Sequence, residues 1–287
     1  MEIVETINEV RERLARARVQ GRVGLVPTMG ALHAGHASLI EAARRACDTV
    51  VVSIFVNPTQ FGPNEDFDRY PRDLRADADI CERLGVDLVF APSTREMYPR
   101  VNRTWVEVEK LSEPLCGARR PGHFRGVATV CTKLFNIVQP DVAYFGQKDA
   151  QQAIIIRRIV ADLNLPLEII VCPIVREPDG LAISSRNRYL DAAQRREATR
   201  LYQALSAARR RFADGVRQTE ALIATMREVL SQSPALRVEY VEIVDAETLE
   251  PVASIERPAL VALAVHAGST RLIDNTILDL NDPTASV

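Results

Sequence analysis

Short apolar runs rich in β-branched residues alternate with amphipathic stretches through the first 175 residues, and no other feature constrains the fold as strongly. The runs are "RVGLVP", "TVVVSIFV", "VDLVFAP", "DVAYFG" and "PLEIIVCPIV", and the periodicity between them predicts helices near 35–47, 73–84, 126–138 and 149–163. Strands this apolar are buried on both faces, and strands separated by helices of this length are parallel and joined by crossovers. Residues 1–175 are therefore read as a Rossmann-like, doubly wound α/β domain, which binds ligands outside the carboxyl ends of its strands. The opening "MEIVETINEVRERL" reads as an amphipathic helix.

Residues 176–287 follow a different pattern. The helical stretch "AAQRREATRLYQALSAARRRFADG" and a helix near 217–231 precede three closely spaced strands, "RVEYVEIVD", "ALVALAVHAG" and "TRLIDNTIL". Helices followed by adjacent strands predict a smaller C-terminal α+β domain. The boundary falls near 176–190, and the tail "NDPTASV" is expected to be loose.

The charge balance narrows the function classes. Lys and Arg number 36 against 38 Asp and Glu, for a net charge of −2 and no long block of one sign. A general affinity for nucleic acid or anionic membrane is not expected, so any anion site is local. No apolar run approaches the roughly 20 residues of a membrane span, and no export signal is read. The five cysteines (47, 81, 116, 131 and 172) are scattered without a CxxC pair. That argues against a disulfide framework and a thiolate zinc site and predicts a cytoplasmic protein.

Five stretches carry chemistry. "RVGLVP" runs into "TMGALHAGH", where His33 and His36 stand three apart among Gly30, Ala34 and Gly35. Glycines leave the backbone open, imidazoles donate to phosphate oxygens, and the amides of a helix start favour negative charge. The pattern admits a phosphate loop, a turn cap beside an exposed ring, or a metal pair with no third ligand nearby. "NPTQFGPNEDFDRYPRD" is long and polar enough to be a functional loop. In it Gln60 both donates and accepts, which suits a substrate bearing hydroxyl and carboxylate groups, while Asn57, Glu65 and Asp66 fit turn caps. Asp73, Asp77 and Asp79 on or near the next helix form either a solvated face or a reach toward Mg2+ bridging phosphates.

In "CGARRPGHFRGVATV", Arg119, Arg120, His123 and Arg125 read equally as an anion-facing loop and as a solubilising one. In "YFGQKDAQQ", Lys148 offers a point charge for a phosphate, Asp149 a ribose contact or a helix cap, and Gln151 and Gln152 follow. In "REPDGLAISSRN", Ser184, Ser185 and Arg186 either clamp phosphates or open a helix. Together these stretches predict one cleft with no recognisable Cys-His or Ser-His-Asp nucleophile, which is the inventory of nucleotidyl transfer.

The strings "PTMGALHAGHASLI", "FVNPTQFGPNEDFDRYPR", "PGHFRGVATVCTKLFNIVQPDVAYFGQKDAQQ" and "GLAISSRN", in that order, resemble the pantoate–β-alanine ligase family over essentially the whole chain. That family belongs to the HxGH nucleotidyltransferases related to class I aminoacyl-tRNA synthetases; "HAGH" resembles their HxGH element and "ISSRN" their KMSKS-like element. The resemblance implies ATP-dependent ligation of (R)-pantoate and β-alanine to pantothenate through pantoyl adenylate, with release of AMP and pyrophosphate, in the biosynthesis of pantothenate (vitamin B5) and coenzyme A. It implies His36 as catalytic acid, assisted by His33 and Lys148. Met29, Gly30, Ala31, Leu32, His33, Ala34, Gly35 and His36 would form one part of the ATP site. Gly146, Gln147, Lys148 and Asp149 would form a second, and Ile183, Ser184, Ser185 and Arg186 a third, with backbone near Val175 at the adenine. Gln60 corresponds to a pantoate and β-alanine contact and Gln152 to a second pantoate contact.

The resemblance also implies Mg2+ with ATP, for which Asp77 is the candidate ligand, a homodimer, and a C-terminal domain acting as lid and hinge. Two departures stand out. The KMSKS-like element has Leu181, Ala182 and Ile183 before its serines and no lysine, and Gln147 stands where many relatives carry Glu. The competing readings are a simple adenylyltransferase, which is generally shorter and lacks this loop pairing, and a regulator that has lost catalysis, which would show damage at His33, His36, Lys148 or Arg186.

Overall fold

The computed structural model describes residues 1–63 and 65–281. They fall into two compact units, one comprising Met1–Gly146 and Gln151–Pro173, the other Gln147–Ala150 and the chain from Ile174 onward. All of the tail "NDPTASV" except Asn281 lies outside the described residues.

The first unit contains β1 (Glu2–Val4), α1 (Ile7–Gln20), β2 (Val23–Thr28), α2 (Ala34–Ala46), β3 (Thr49–Ile54), α3 (Leu74–Arg83) and β4 (Leu88–Phe90). It continues with the short helices α4 (Thr94–Met97) and α5 (Cys116–Arg119), then α6 (His123–Val138), β5 (Val142–Gly146), α7 (Ala150–Asp162) and β6 (Glu168–Cys172). Every strand pair is parallel, in the order β1-β4-β3-β2-β5-β6, with Val26 beside Val52 and Ala143 beside Ile169. The doubly wound sheet expected from the alternating runs is present. Val26, Val50, Val52, Val89 and Val142 pack against Leu39, Ile40 and Ala43 of α2 and Cys81 of α3. Each such side chain contributes about 1.5–3 kcal/mol on burial, so the apolar runs themselves fix the register. From β2 the order proceeds to β3 and β4 on one side and to β5 and β6 on the other. The reversal between β2 and β5 is the place where such sheets open a ligand crevice.

The start of the chain departs from the helix expected of it. Glu2–Val4 pairs with β4, and the helix begins only at Ile7. A reciprocal cap explains the boundary, because the Thr6 hydroxyl accepts from Glu9 N–H while the Glu9 carboxylate accepts from Thr6 N–H.

In the second unit, α8 (Ala192–Ala198), α9 (Arg200–Ala213) and α10 (Thr219–Ser231) accompany an antiparallel sheet of β7 (Leu236–Asp245), β8 (Ala259–Ala267) and β9 (Thr270–Leu278). Leu201, Leu205, Phe212, Leu222 and Met226 share its core with Val261 and Leu263. The single helical stretch expected from residue 192 is interrupted at Thr199, whose hydroxyl turns back to donate to the Arg196 carbonyl at 2.8 Å. All five cysteines are buried and unbridged. Burial pushes the Cys81 and Cys131 thiols up to about 12, which keeps them protonated and inert. Among the described residues no helix is long and apolar enough to cross a membrane.

Candidate active site

The chain leaves β2 at Thr28, whose hydroxyl donates to the Ser53 carbonyl (2.8 Å) and accepts from Gly30 N–H (3.1 Å). Gly30 and Ala31 then take positive φ values of 79° and 51°. Alanine is strained there and needs an external hold. Asp77, at 3% exposure, provides it. Its two carboxylate oxygens accept from Ala31 N–H at 3.0 Å and Leu32 N–H at 2.7 Å. A Cβ on Gly30 would approach Asp77 Oδ2 to 2.7 Å, so glycine lets the carboxylate lie against the main chain.

His33 is the N-cap of α2. Its Nδ1 accepts from Gly35 N–H at 3.2 Å, and Nδ1 of His36 accepts from His33 N–H at 3.4 Å. The two rings lie 4.1 Å apart, tilted by 32°. A nitrogen that accepts a backbone N–H carries no proton, so each neutral ring bears its proton on Nε2. The two histidines serve as a capping box built from imidazoles, and the cap settles their tautomers.

Gln60 closes the 3-10 turn Pro58–Gln60 after β3 and is 8% exposed. Its Oε1 accepts from Asn57 Nδ2 (3.0 Å) and its Nε2 donates to Met29 Sδ (3.1 Å). Asn57 is itself oriented by the Tyr98 hydroxyl (3.0 Å) and the Gly126 carbonyl (3.2 Å). Gly126 lets α6 pack directly on this turn, since a Cβ there would fall 2.3 Å from the Thr59 carbonyl oxygen.

Three residues of the Arg/His stretch and its preceding loop form a latch on Gln60. Arg120 binds the Glu65 carboxylate through Nε at 2.8 Å and through Nη2. His123 Nδ1 lies 2.8 Å from the Gln60 carbonyl and its Nε2 lies 2.9 Å from Arg120 Nη1. A carbonyl only accepts and a guanidinium only donates, so His123 is neutral with its proton on Nδ1, opposite to His33 and His36. Burial pushes the Glu65 carboxyl up, but the hydrogen bonds and charge of Arg120 outweigh it and hold the group below its ordinary value. Arg125 stacks over Trp105 at 4.8 Å. These interactions commit Arg120 and Arg125 to positions within the protein. The two neighbouring glutamines also separate: Gln151 is buried, joining Cys116 N–H to the Leu111 and Pro114 carbonyls, while Gln152 stays half-buried.

In the second unit, Lys148 lies in the one-turn 3-10 helix Gln147–Asp149. The Gln147 and Lys148 carbonyls both accept from Asn275 Nδ2 at 2.9 Å. Val175 accepts from Ile183 N–H (3.0 Å), Arg176 pairs with Ala182, and the Ser184 hydroxyl caps the next turn by accepting from Arg186 N–H (3.3 Å). Arg176 makes a forked ion pair with Asp274 (2.7 and 3.0 Å), a carboxyl that full burial pushes above its ordinary value. Asp274, Asn275 and Arg176 escaped the sequence reading. For Asp274 and Asn275 the signal was present in "TRLIDNTIL", where three adjacent polar residues interrupt a strand.

Asp77 is buried and occupied with the loop backbone, and among the described residues no three His, Cys, Asp or Glu side chains gather as a metal site. Asp77, the residue expected to reach Mg2+, also shapes the loop through its carboxylate.

A parallel sheet whose order reverses beside a His-x-Gly-His helix entry defines an HxGH-type nucleotide-binding α/β protein. The pantoate–β-alanine ligase family model matches residues 2–277, and the chain belongs to that family. It is an enzyme that ligates pantoate to β-alanine. The chain is 56% identical to the pantothenate synthetase of Moorella thermoacetica over 283 residues, covering 98% of this chain and 100% of that one. It is similar to the pantothenate synthetase crystal structure from Thermus thermophilus, with a TM-score of 0.92 and 48% identity over 96% of this chain and 99% of that chain. The Francisella tularensis pantoate–β-alanine ligase, solved with β-γ ATP and β-alanine, gives a TM-score of 0.81 and 36% identity over 96% of this chain and 97% of that one.

Proposed function

We propose that the chain forms pantothenate in two steps on ATP, and that the residues quoted above for each ligand carry them out. In the first, a carboxylate oxygen of (R)-pantoate attacks the α-phosphorus, the bond to the β-phosphate bridge breaks, and pantoyl adenylate and pyrophosphate result. In the second, the β-alanine amine attacks the acyl carbon, AMP departs with the bridging oxygen, and the amine gives up a proton. Negative charge grows on the phosphates during the first step, so preplaced donors and cations supply most of the acceleration.

The observation that carries this reading is the paired imidazole cap. Both Nδ1 atoms are committed to backbone N–H groups, so both Nε2 atoms carry the proton that phosphate oxygens require. His36, the catalytic acid of this reading, donates its Nε2–H to the phosphate oxygens in a hydrogen bond, with His33 assisting. The rest of Met29–His36, with Gly146–Asp149, backbone at Val175 and Ile183–Arg186, binds ATP, and Lys148 and Arg186 supply the cations. Gln60 and Gln152 take the pantoate hydroxyls, and Gln60 also meets β-alanine; its carbonyl latch holds it ready. Mg2+ would accompany ATP, with Asp77 as the candidate protein ligand, and would neutralise charge on the phosphates. The C-terminal domain serves as lid and hinge, keeping water from the mixed anhydride. The enzyme works as a homodimer in the cytoplasm.

Isotope exchange between pyrophosphate and ATP tests the first step. Exchange that needs pantoate and no β-alanine is the expected result. Absence of exchange, together with absence of AMP when all three substrates are supplied, would overturn the proposal.

A further inference from the structure

We infer that Asn275, together with Asp274 beside it on β9, is a positioning residue for the ATP-handling segments of the second unit. The inference rests on the reading of Lys148 and Ile183–Arg186 as ATP contacts given under the proposed function. Both residues are nearly fully buried, at 2% for Asp274 and 4% for Asn275, in a strand whose neighbours Leu272 and Leu278 belong to the apolar core. Polar side chains persist in such a strand only where they hold something.

Asn275 holds the Lys148 segment. Its amide nitrogen donates to the Gln147 and Lys148 carbonyls, each at 2.9 Å. Both partners are acceptors, so the amide is oriented with nitrogen toward them. The turn Gln147–Asp149 is a single 3-10 turn that runs directly into α7, so its backbone is the start of that helix. Asn275 supplies a side-chain donor to two successive carbonyls and thereby fixes the backbone from which the Lys148 side chain springs. Its Oδ1 is buried and makes no hydrogen bond among the described residues, so the donors are what the amide contributes.

Asp274 holds the other segment. It receives the Arg176 fork and the Asn275 backbone N–H (2.8 Å). Arg176 also donates to the Gly180 carbonyl (3.0 Å) and pairs with Ala182, inside the reversal that leads from Val175 to Ser184. Gly180 is at φ 93°, and a Cβ there would collide with Tyr202 at 2.1 Å, so the reversal has little freedom to adjust. Two consecutive β9 residues thus hold the Lys148 segment and the reversal that leads into Ser184–Arg186. Neither touches the reacting atoms.

The test compares Asn275→Ala, Lys148→Ala and the double variant in the full chain. Pantoate-dependent pyrophosphate exchange reads the first step, and aminolysis of supplied pantoyl adenylate reads the second. A displacement of about 1 Å costs on the order of 100-fold, so Asn275→Ala should lose about that factor in exchange and leave aminolysis unchanged. The double variant should be no worse than Lys148→Ala, because Asn275 acts through Lys148. Full exchange in Asn275→Ala, equal loss in both half-reactions, or multiplicative losses in the double variant would each overturn the inference. Full exchange in Lys148→Ala would instead overturn the site reading and remove its basis. Should Asn275→Ala not fold, Asn275→Asp keeps the shape but cannot donate when ionised. It should lose exchange near about pH 8 and recover part of it toward about pH 6 as the buried carboxyl gains a proton; no loss at the higher pH would overturn the inference.

Discussion

At the level of single residues, His33 does two jobs that substitution can separate. As N-cap it accepts Gly35 N–H through Nδ1, and as a neutral imidazole it carries a proton on Nε2. Asparagine is a strong N-cap but lacks the second nitrogen. His33→Asn should therefore melt at the wild-type temperature while adenylation falls by roughly 100-fold or more, the usual loss for one preorganised donor. His33→Ala should lose the same activity and also about 0.5–2 kcal/mol of stability. Calorimetry alongside pre-steady-state adenylation would check both, and a parallel loss of stability in His33→Asn would show that the ring does more for the fold than cap it. Asp77 teaches the converse lesson. Its carboxylate, read from the sequence for its charge, also has a structural task, accepting two backbone N–H groups of which one belongs to the strained Ala31.

Among elements, the loop after β3 owes its shape to α6. Gly126 admits the close approach, and Arg120, His123 and Glu65 tie the loop to the helix start through the Gln60 carbonyl. The Glu65 carboxyl lies below its ordinary value in the folded protein, so the unfolded chain binds more protons as pH falls into the carboxylate range. The stability it contributes is fully present above the unfolded value of about 4.3 and is lost as pH falls through the lowered folded value. Glu65→Gln should accordingly melt below wild type near neutrality, with the gap closing in acid. Melting curves of both proteins across this range would check it, and a gap independent of pH would contradict the assignment. His123 protonation opposes the latch, since Nε2 would then point a second donor at Arg120.

Across the whole molecule, the parallel sheet was legible because buried β-branched runs have few alternatives, and the three C-terminal strands were legible from their spacing. The first strand was not. Three residues carry too little periodicity, and only the Thr6–Glu9 cap separates them from the helix. The loop residues of the candidate site were visible as residue types, but their orientations were not. Opposite tautomers for His33 and His123 arise from hydrogen-bond partners 2 and 63 residues away, which no local pattern encodes. Asn275 lies 127 residues from Lys148 and was invisible for the same reason.

The central claim is that the pantoate carboxylate becomes bonded to the α-phosphorus of ATP. The most direct measurement is a single-turnover reaction with pantoate carrying 18O in both carboxylate oxygens, followed by mass analysis of every product. The account predicts one labelled oxygen in AMP, the other in the pantothenate amide carbonyl, and none in pyrophosphate. Label in inorganic phosphate with formation of ADP, or AMP free of label, would contradict it.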